Sequence, residues 1–197
     1  MKELLIQNQG VVEKQANVGT NYGPILVGST TSRLSARFQR LHDEILKHVT
    51  SEVLDDLRFY NTKLDGTLGF EQKMVDGGFN EMFIERARIQ KEMYAKKAHR
   101  YSAYKSAQQI TLEFYARIKT EFDVNIYPQI VNGIDTITIM REIQRIIVKP
   151  IMNLLQSEGA FDEDLQFTED HIYGMIYYLT GMCHLNWKNY DNVQSSI

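Results

Sequence analysis

From Thr31 onward, apolar residues recur at intervals of three and four, and this period constrains the fold more than any other feature of the chain. Leu34, Phe38, Leu41, Ile45, Val49, Val53 and Leu57 form the first stripe. Thr31 or Ser32 stands where a cap belongs, so the pattern predicts one long helix to about Leu57. Gly66 and Gly69 punctuate the stretch that follows, and a short helical piece over Phe70–Val75 is expected to stop at Gly77-Gly78. Asn80 is a cap for a second long helix to about Arg100, whose apolar sector is Phe83, Ala87, Tyr94, Ala98 and Tyr101. A third stripe runs through Ala107, Ile110, Phe114, Ile118 and Phe122. The segment DVNIYPQIVNG, with Pro128 and Gly133, reads as a break. Asp135 or Thr136 caps a fourth helix to Val148, which Pro150 should kink or restart. Thr168 caps the last long helix, from Glu169 to about Thr180, with Gly181 as its stop and CHLNWKNYD as a final short element.

Residues 1–30 follow another rule. Their four charges (Lys2, Glu3, Glu13, Lys14) cancel, and the rest is rich in Gln, Asn and Gly around short β-branched stretches. Such a segment holds too little apolar surface for a core of its own. The expected organisation is a polar, extended arm over 1–30 and a mainly α, bundle-like domain of about five long helices over 31–197. The chain is 197 residues long and 43% hydrophobic, enough for one core without covalent staples.

Several function classes are disfavoured at once. A net charge of -3 creates no global field for nucleic acid or an anionic membrane. Cys183 is the one cysteine, which leaves no disulfide framework and fits a reducing compartment. The apolar runs fall far short of the roughly 20 residues that span a bilayer. MKELLIQNQG has no secretory apolar region. The expectation is a soluble cytoplasmic protein with no membrane partner.

Candidate chemistry is sparse. His42-Asp43 could donate two adjacent metal ligands, but His48, His99, His171 and His184 stand at no spacing that completes such a set. An exposed, solvated pair is the simpler meaning. Cys183-His184 with His171 gives three zinc-type ligands where a structural site takes four, and a free cysteine among apolar neighbours behaves as a small hydrophobe. Nothing orients Cys183 and His184 as a dyad. VGTNYG and LVGSTTS lack the phosphate-loop pattern. Asp162, Glu163, Asp164, Glu169 and Asp170 form an acidic stretch, readable as a solvated loop or as a dock for a basic partner. No catalytic, metal-binding or cofactor-binding residue is expected.

Two surfaces carry more weight. Arg86, Arg88, Lys91, Lys96, Lys97, Arg100 and Lys105 are opposed between positions 86 and 105 by Glu92 alone. On a helical wheel Arg86, Lys96, Lys97 and Arg100 share the side away from the aromatic stripe. That face suits solvent, acidic neighbouring helices, a protein partner, or weak salt-sensitive contact with DNA. In the last helix Ile172, Tyr173, Met175, Ile176, Tyr177, Tyr178 and Leu179, with Met182, Leu185 and Trp187 beyond, go most of the way round. Such a helix is either wrapped by the core or leaves an apolar strip for a partner. The interaction candidates are therefore Arg86, Lys96, Lys97, Arg100, Tyr173, Tyr177, Tyr178 and Trp187.

The segments GFEQKMVDGG, IERARIQKEMYAKK, YKSAQQI, FYARIKTEFDVNIYPQI and HIYGMIYYLTGMCHLNW resemble the C-terminal domain of effector proteins in bacterial three-component ABC-ATPase defence systems, the Lamassu-type group. The resemblance covers most of residues 33–187, and NVGTNYGPI is similar to Asn/Gly-rich segments that precede such domains. It implies an adaptor that couples an effector to an SMC-like ABC ATPase and a small middle subunit. Set against that pattern, the nuclease or protease domain usual at the N-terminus of such effectors is expected to be absent, and the resemblance carries over no catalytic residue. It marks Lys73, Lys91, Lys97, Ser106, Gln108, Pro128 and Trp187 as anchors, each equally readable as a capping or packing residue. The partners it implies are the SMC-like ABC ATPase and other subunits of the same complex; separately, the basic helix allows weak DNA contact and the arm allows homo-oligomerisation. The alternatives from other classes are a small helical nucleic-acid-binding protein using Arg86–Lys105 and a metal-dependent hydrolase on His42-Asp43.

Overall fold

The computed structural model describes residues 32–64 and 68–190, and the polar arm over 1–30 lies outside them. The described residues are mainly α-helical and contain no strand. Ser32 caps α1 (Arg33–Leu46): its Oγ accepts from Ser35 N–H at 3.0 Å and donates to Glu158 Oε2 at 2.5 Å. Leu34, Phe38 and Leu41 are the buried stripe of this helix.

The expected run to Leu57 breaks at Lys47. His48 turns left-handed at φ 52°, and a second helix, α2 (Asp55–Asn61), begins only at Asp55. The period of Val49 and Val53 suggests continuity, yet Val49 is 54% exposed. Tertiary partners explain the break. The backbone between the helices bonds elsewhere: Ser51 N–H to Ala103 O at 2.8 Å, and Leu54 N–H to the Gln108 side chain at 2.8 Å.

Next come α3 (Phe70–Asp76), α4 (Glu81–Tyr101) and α5 (Lys105–Glu121). Asn80 Oδ1 accepts from Phe83 N–H at 2.9 Å, as its cap position predicts. The N-terminus of α5 is capped from another helix, because Glu44 of α1 accepts from both Ser106 N–H and Ser106 Oγ. Ala107, Ile110, Phe114, Ile118 and Phe122 are all buried. In α4 the buried centre is Ile84, Ala87, Gln90 and Tyr94, and Phe83, Ala98 and Tyr101 are half-buried at its margins.

The expected break at Pro128 is absent. Phe122–Ile126 widen into a π-turn that runs straight into α6 (Tyr127–Val131), and the chain turns only at Asn132 and Gly133. Tyr127 N–H reaches Phe122 O, five residues back, so Pro128 sits after a ladder already shifted by one residue. The missing N–H and the bulky ring then cost little. The same device recurs after α7 (Thr136–Ile143), where a π-turn over Gln144–Val148 precedes Pro150 and α8 (Lys149–Glu158).

Thr168 caps α9 (Glu169–Gly181) with a capping box in which His171 takes the role usually given to Glu or Gln. Past its end the left-handed residue is Cys183, at φ 66°, rather than Gly181, and 183–190 continue as bends instead of a further helix. The largest helix–helix interface joins α4 and α9, and the next joins α1 and α5. Within the first, Gly174 lies against the Gln90 carbonyl and the Tyr94 Cβ.

The capping box carries a pH dependence. His171 Nδ1 accepts from Thr168 N–H at 3.1 Å, which requires an unprotonated nitrogen there. Burial, aided by the Lys97 charge, holds the His171 pKa below its ordinary value. His184 is shifted the same way by burial. Below a pH of about 6.5 the unfolded chain therefore binds more protons than the folded one. The stability from these groups is complete above that pH and is lost as pH falls below it. A lower Tm is expected at pH 5.5 than at pH 7.5, and His171→Gln, which keeps an acceptor at that position, should shrink the difference. An unchanged difference in that variant would refute the role of His171.

Candidate functional site

A functional surface has to be assembled from side chains the fold leaves uncommitted, so the anchors are sorted first. Lys73 is buried and donates to Asn186 Oδ1 at 2.7 Å, tying the C-terminal segment to α3. Lys91 Nζ stands 4.6 Å from the centre of the Phe70 ring. Ser106 binds Glu44, while Gln108 accepts from Leu54 N–H and donates to Ser102 O and Glu52 O. Pro128 follows the first π-turn. Trp187 packs edge-on against Phe79 and Phe122, and its Nε1–H donates to Thr180 Oγ1 at 3.0 Å. These positions cap, bracket and pack.

Lys97 departs from the expected outward face. It is half-buried, donates to Leu165 O and Gln166 O, and faces the Phe167 ring. Burial lowers its pKa against the pull of Asp162. The reason is positional: Lys97 lies on the flank of α4 that the 162–167 segment covers.

Arg86, Lys96 and Arg100 are exposed and form no ion pair among the described residues. Between them lie Met82, Ile89 and Met93, exposed by 79%, 53% and 43%. These three are not among the interaction candidates read from the sequence, where the cations define this side of the wheel. The signal was available, since positions 82, 86, 89, 93, 96 and 100 alternate steps of four and three.

The difference in burial between Lys97 and its neighbours is measurable. The triple variant Arg86→Glu, Lys96→Glu, Arg100→Glu should stay within about 0.5 kcal/mol of the parent, as exposed charges do. Lys97→Glu should lose roughly 1–3 kcal/mol by facing a carboxylate to two carbonyls. Equal Tm values for the two variants would contradict the placement of Lys97.

The expected apolar strip on α9 shrinks to two edges. Tyr177 is 1% exposed and Trp187 is 3% exposed, so neither offers surface. Tyr173 and Tyr178 are half-buried, their hydroxyls donating to Gln144 Oε1 and Asn61 Oδ1. The close approach at Gly174 lets α4 cover one side of α9, while α3, α5 and the second π-turn pack on others. The helix is thus a wrapped core element.

The titratable groups are scattered. His42 Nδ1 lies 3.3 Å from Asp164 Oδ2, and Asp162 Oδ1 accepts from Leu165 N–H, so much of the acidic stretch is engaged within the fold. Cys183 Sγ approaches Leu68 O at 3.8 Å. His184 is buried against the rings of Phe59 and Tyr60. Among those residues no three metal-type side chains converge. A cavity of about 200 Å³ lies beside Tyr115, Tyr178, Gln108 and Lys97. That is below the usual 300–1,000 Å³ of a small-molecule site. Two polar walls are committed, Tyr115 accepting from Tyr94 Oη at 2.7 Å and Gln108 bracketing the backbone. Among the described residues no helix is long and apolar enough to cross a membrane.

No curated protein and no solved structure matches the chain. A family model does, over residues 69–187, from the cap of α3 to the buried Trp187. That span is more than half of the chain and includes both the α4 surface and the α4–α9 core, and by this match the chain belongs to the family of C-terminal domain 9 of the ABC-three component systems.

Proposed function

We propose that this chain is a non-catalytic adaptor subunit of a bacterial anti-phage or anti-plasmid defence complex. In this reading it works in the cytoplasm and couples an SMC-like ABC ATPase to an effector through protein–protein contacts. The observation that carries the reading is the exposed face of α4, where Met82, Ile89 and Met93 alternate with the unpaired Arg86, Lys96 and Arg100. Apolar side chains with arginine beside them are typical of protein interfaces. The family match supports the setting, a system of several components. Co-expression with the other components of the same system tests it: a complex that co-elutes on size exclusion is expected, and separate elution at micromolar concentration overturns it.

One observation favours a second reading, a nucleic-acid-binding surface on the same helix. Three exposed cations could neutralise about three phosphates, giving a slope of log affinity against log salt of roughly −3. Binding of duplex DNA with such a slope, by the chain alone, would favour this reading over the first.

A further inference from the structure

The exposed side of α4 has the geometry of a helix-pairing seam. Met82, Arg86, Ile89, Met93, Lys96 and Arg100 advance by four, three, four, three and four, the spacing that keeps one stripe facing a second helix. The stripe is about 27 Å long at 1.5 Å per residue. Its N-terminal half sets Met82, Ile89 and Met93 around Arg86 and borders an open groove of about 830 Å³ that also includes Glu81, Glu85 and Asp170. Its C-terminal half is cationic. Of the acids nearby, Glu85 pairs with Arg88 and Asp170 accepts from Gln90, while Glu81 and Glu92 are exposed; none of the four forms an ion pair with Arg86, Lys96 or Arg100.

Resting on the adaptor reading, we infer that this seam docks one amphipathic helix of a partner subunit. The partner helix places aliphatic residues on Met82, Ile89 and Met93 and carboxylates on Lys96, Arg100 and Arg86. Charge selects this occupant. A second copy laid parallel along α4 sets Lys96 and Arg100 against themselves. Laid antiparallel over the same length, it sets Arg86 against Lys96. Like charges in direct opposition suppress such pairings. A nucleic-acid backbone matches the cations but has nothing to cover three exposed apolar side chains in the same stripe.

The test uses the full chain in its co-expressed complex. Ile89→Asp with Met93→Asp, and separately Lys96→Glu with Arg100→Glu, should each fold with the parental Tm and weaken assembly roughly 10-fold or more. A benzophenone side chain introduced at Met93 should crosslink to an acidic helical segment of another subunit. Exchanging the carboxylates of that segment for lysine should restore assembly with the Lys96→Glu, Arg100→Glu variant. Normal assembly of both variants overturns the seam while leaving the adaptor reading intact, whereas failure of the parent chain to assemble overturns both. A crosslink to a second copy of this chain overturns the choice of occupant. So does binding of a 30-base-pair duplex that needs Lys96 and Arg100 but not Ile89 and Met93.

Discussion

Gly174→Ala is expected to destabilise the domain by about 3 kcal/mol, a fall in Tm of roughly 6–12 °C. In an ordinary helix the change would be favourable, because glycine in a helix interior is worse than alanine by about 1 kcal/mol. Here an added methyl would stand 2.4 Å from the Gln90 carbonyl oxygen and 2.6 Å from the Tyr94 Cβ. Both lie on or beside the α4 backbone, where no side-chain rotation relieves the clash. The two helices of the largest interface must move apart, which loosens Met175, Ile176 and the buried Tyr94 together. Gly181→Ala is the control. It lies on the same helix, but its new methyl would meet only the Phe70 Cβ, at an ordinary 3.7 Å. Thermal melts of the two variants should therefore diverge, and a neutral Gly174→Ala would show that α4 and α9 are not in contact as described.

Trp187→Ala is the second large effect, with an expected loss of about 3–5 kcal/mol. The indole is an internal clamp. It fills the space between Phe79 and Phe122 and satisfies Thr180 through its N–H. Its Cβ comes so near α3 that a methyl on Gly77 would lie 2.6 Å from it. Together with the Lys73–Asn186 bond, this pins the segment after α9 onto α3. Chemical denaturation should show the loss as a lower midpoint for the whole domain. A variant of parental stability that fails only to assemble would return Trp187 to the interface.

Much of this was legible in the sequence where local chemistry decides. Ser32, Asn80, Asp135 and Thr168 are small polar residues ahead of periodic apolar runs, and each caps the helix expected of it. The stripe from Ala107 to Phe122 is buried as its spacing implies. The misreadings arise where distant residues decide. Val49 and Val53 continue the period of α1, but Gln108 and Ala103 capture the backbone beside them and end the helix. Lys97 shares a wheel sector with Lys96, but the carbonyls of Leu165 and Gln166 come from another part of the chain. Tyr177 looks like surface for a partner only until the contact at Gly174 is known. The α4 seam is the converse case: its step of four and three is written in the sequence, while its exposure depends on which side α9 covers.

The two π-turns make residue count, as well as residue type, a condition of this fold. Each inserts one extra residue into a turn immediately before a proline. The extra residue is absorbed within the wide turn, so the helix beyond keeps its facing. Removing one residue between Phe122 and Ile126 would close that turn to ordinary α spacing. It would bring the Pro128 ring back against the carbonyl four residues earlier. Asp123, Val124 and Asn125 are exposed, and the Lys119–Asp123 pair and the Asn125–Glu121 bond are surface contacts, so substitutions there cost little. Along this stretch the domain is permissive to substitution and intolerant of a one-residue deletion, and the prolines act as frame marks that expose any slip.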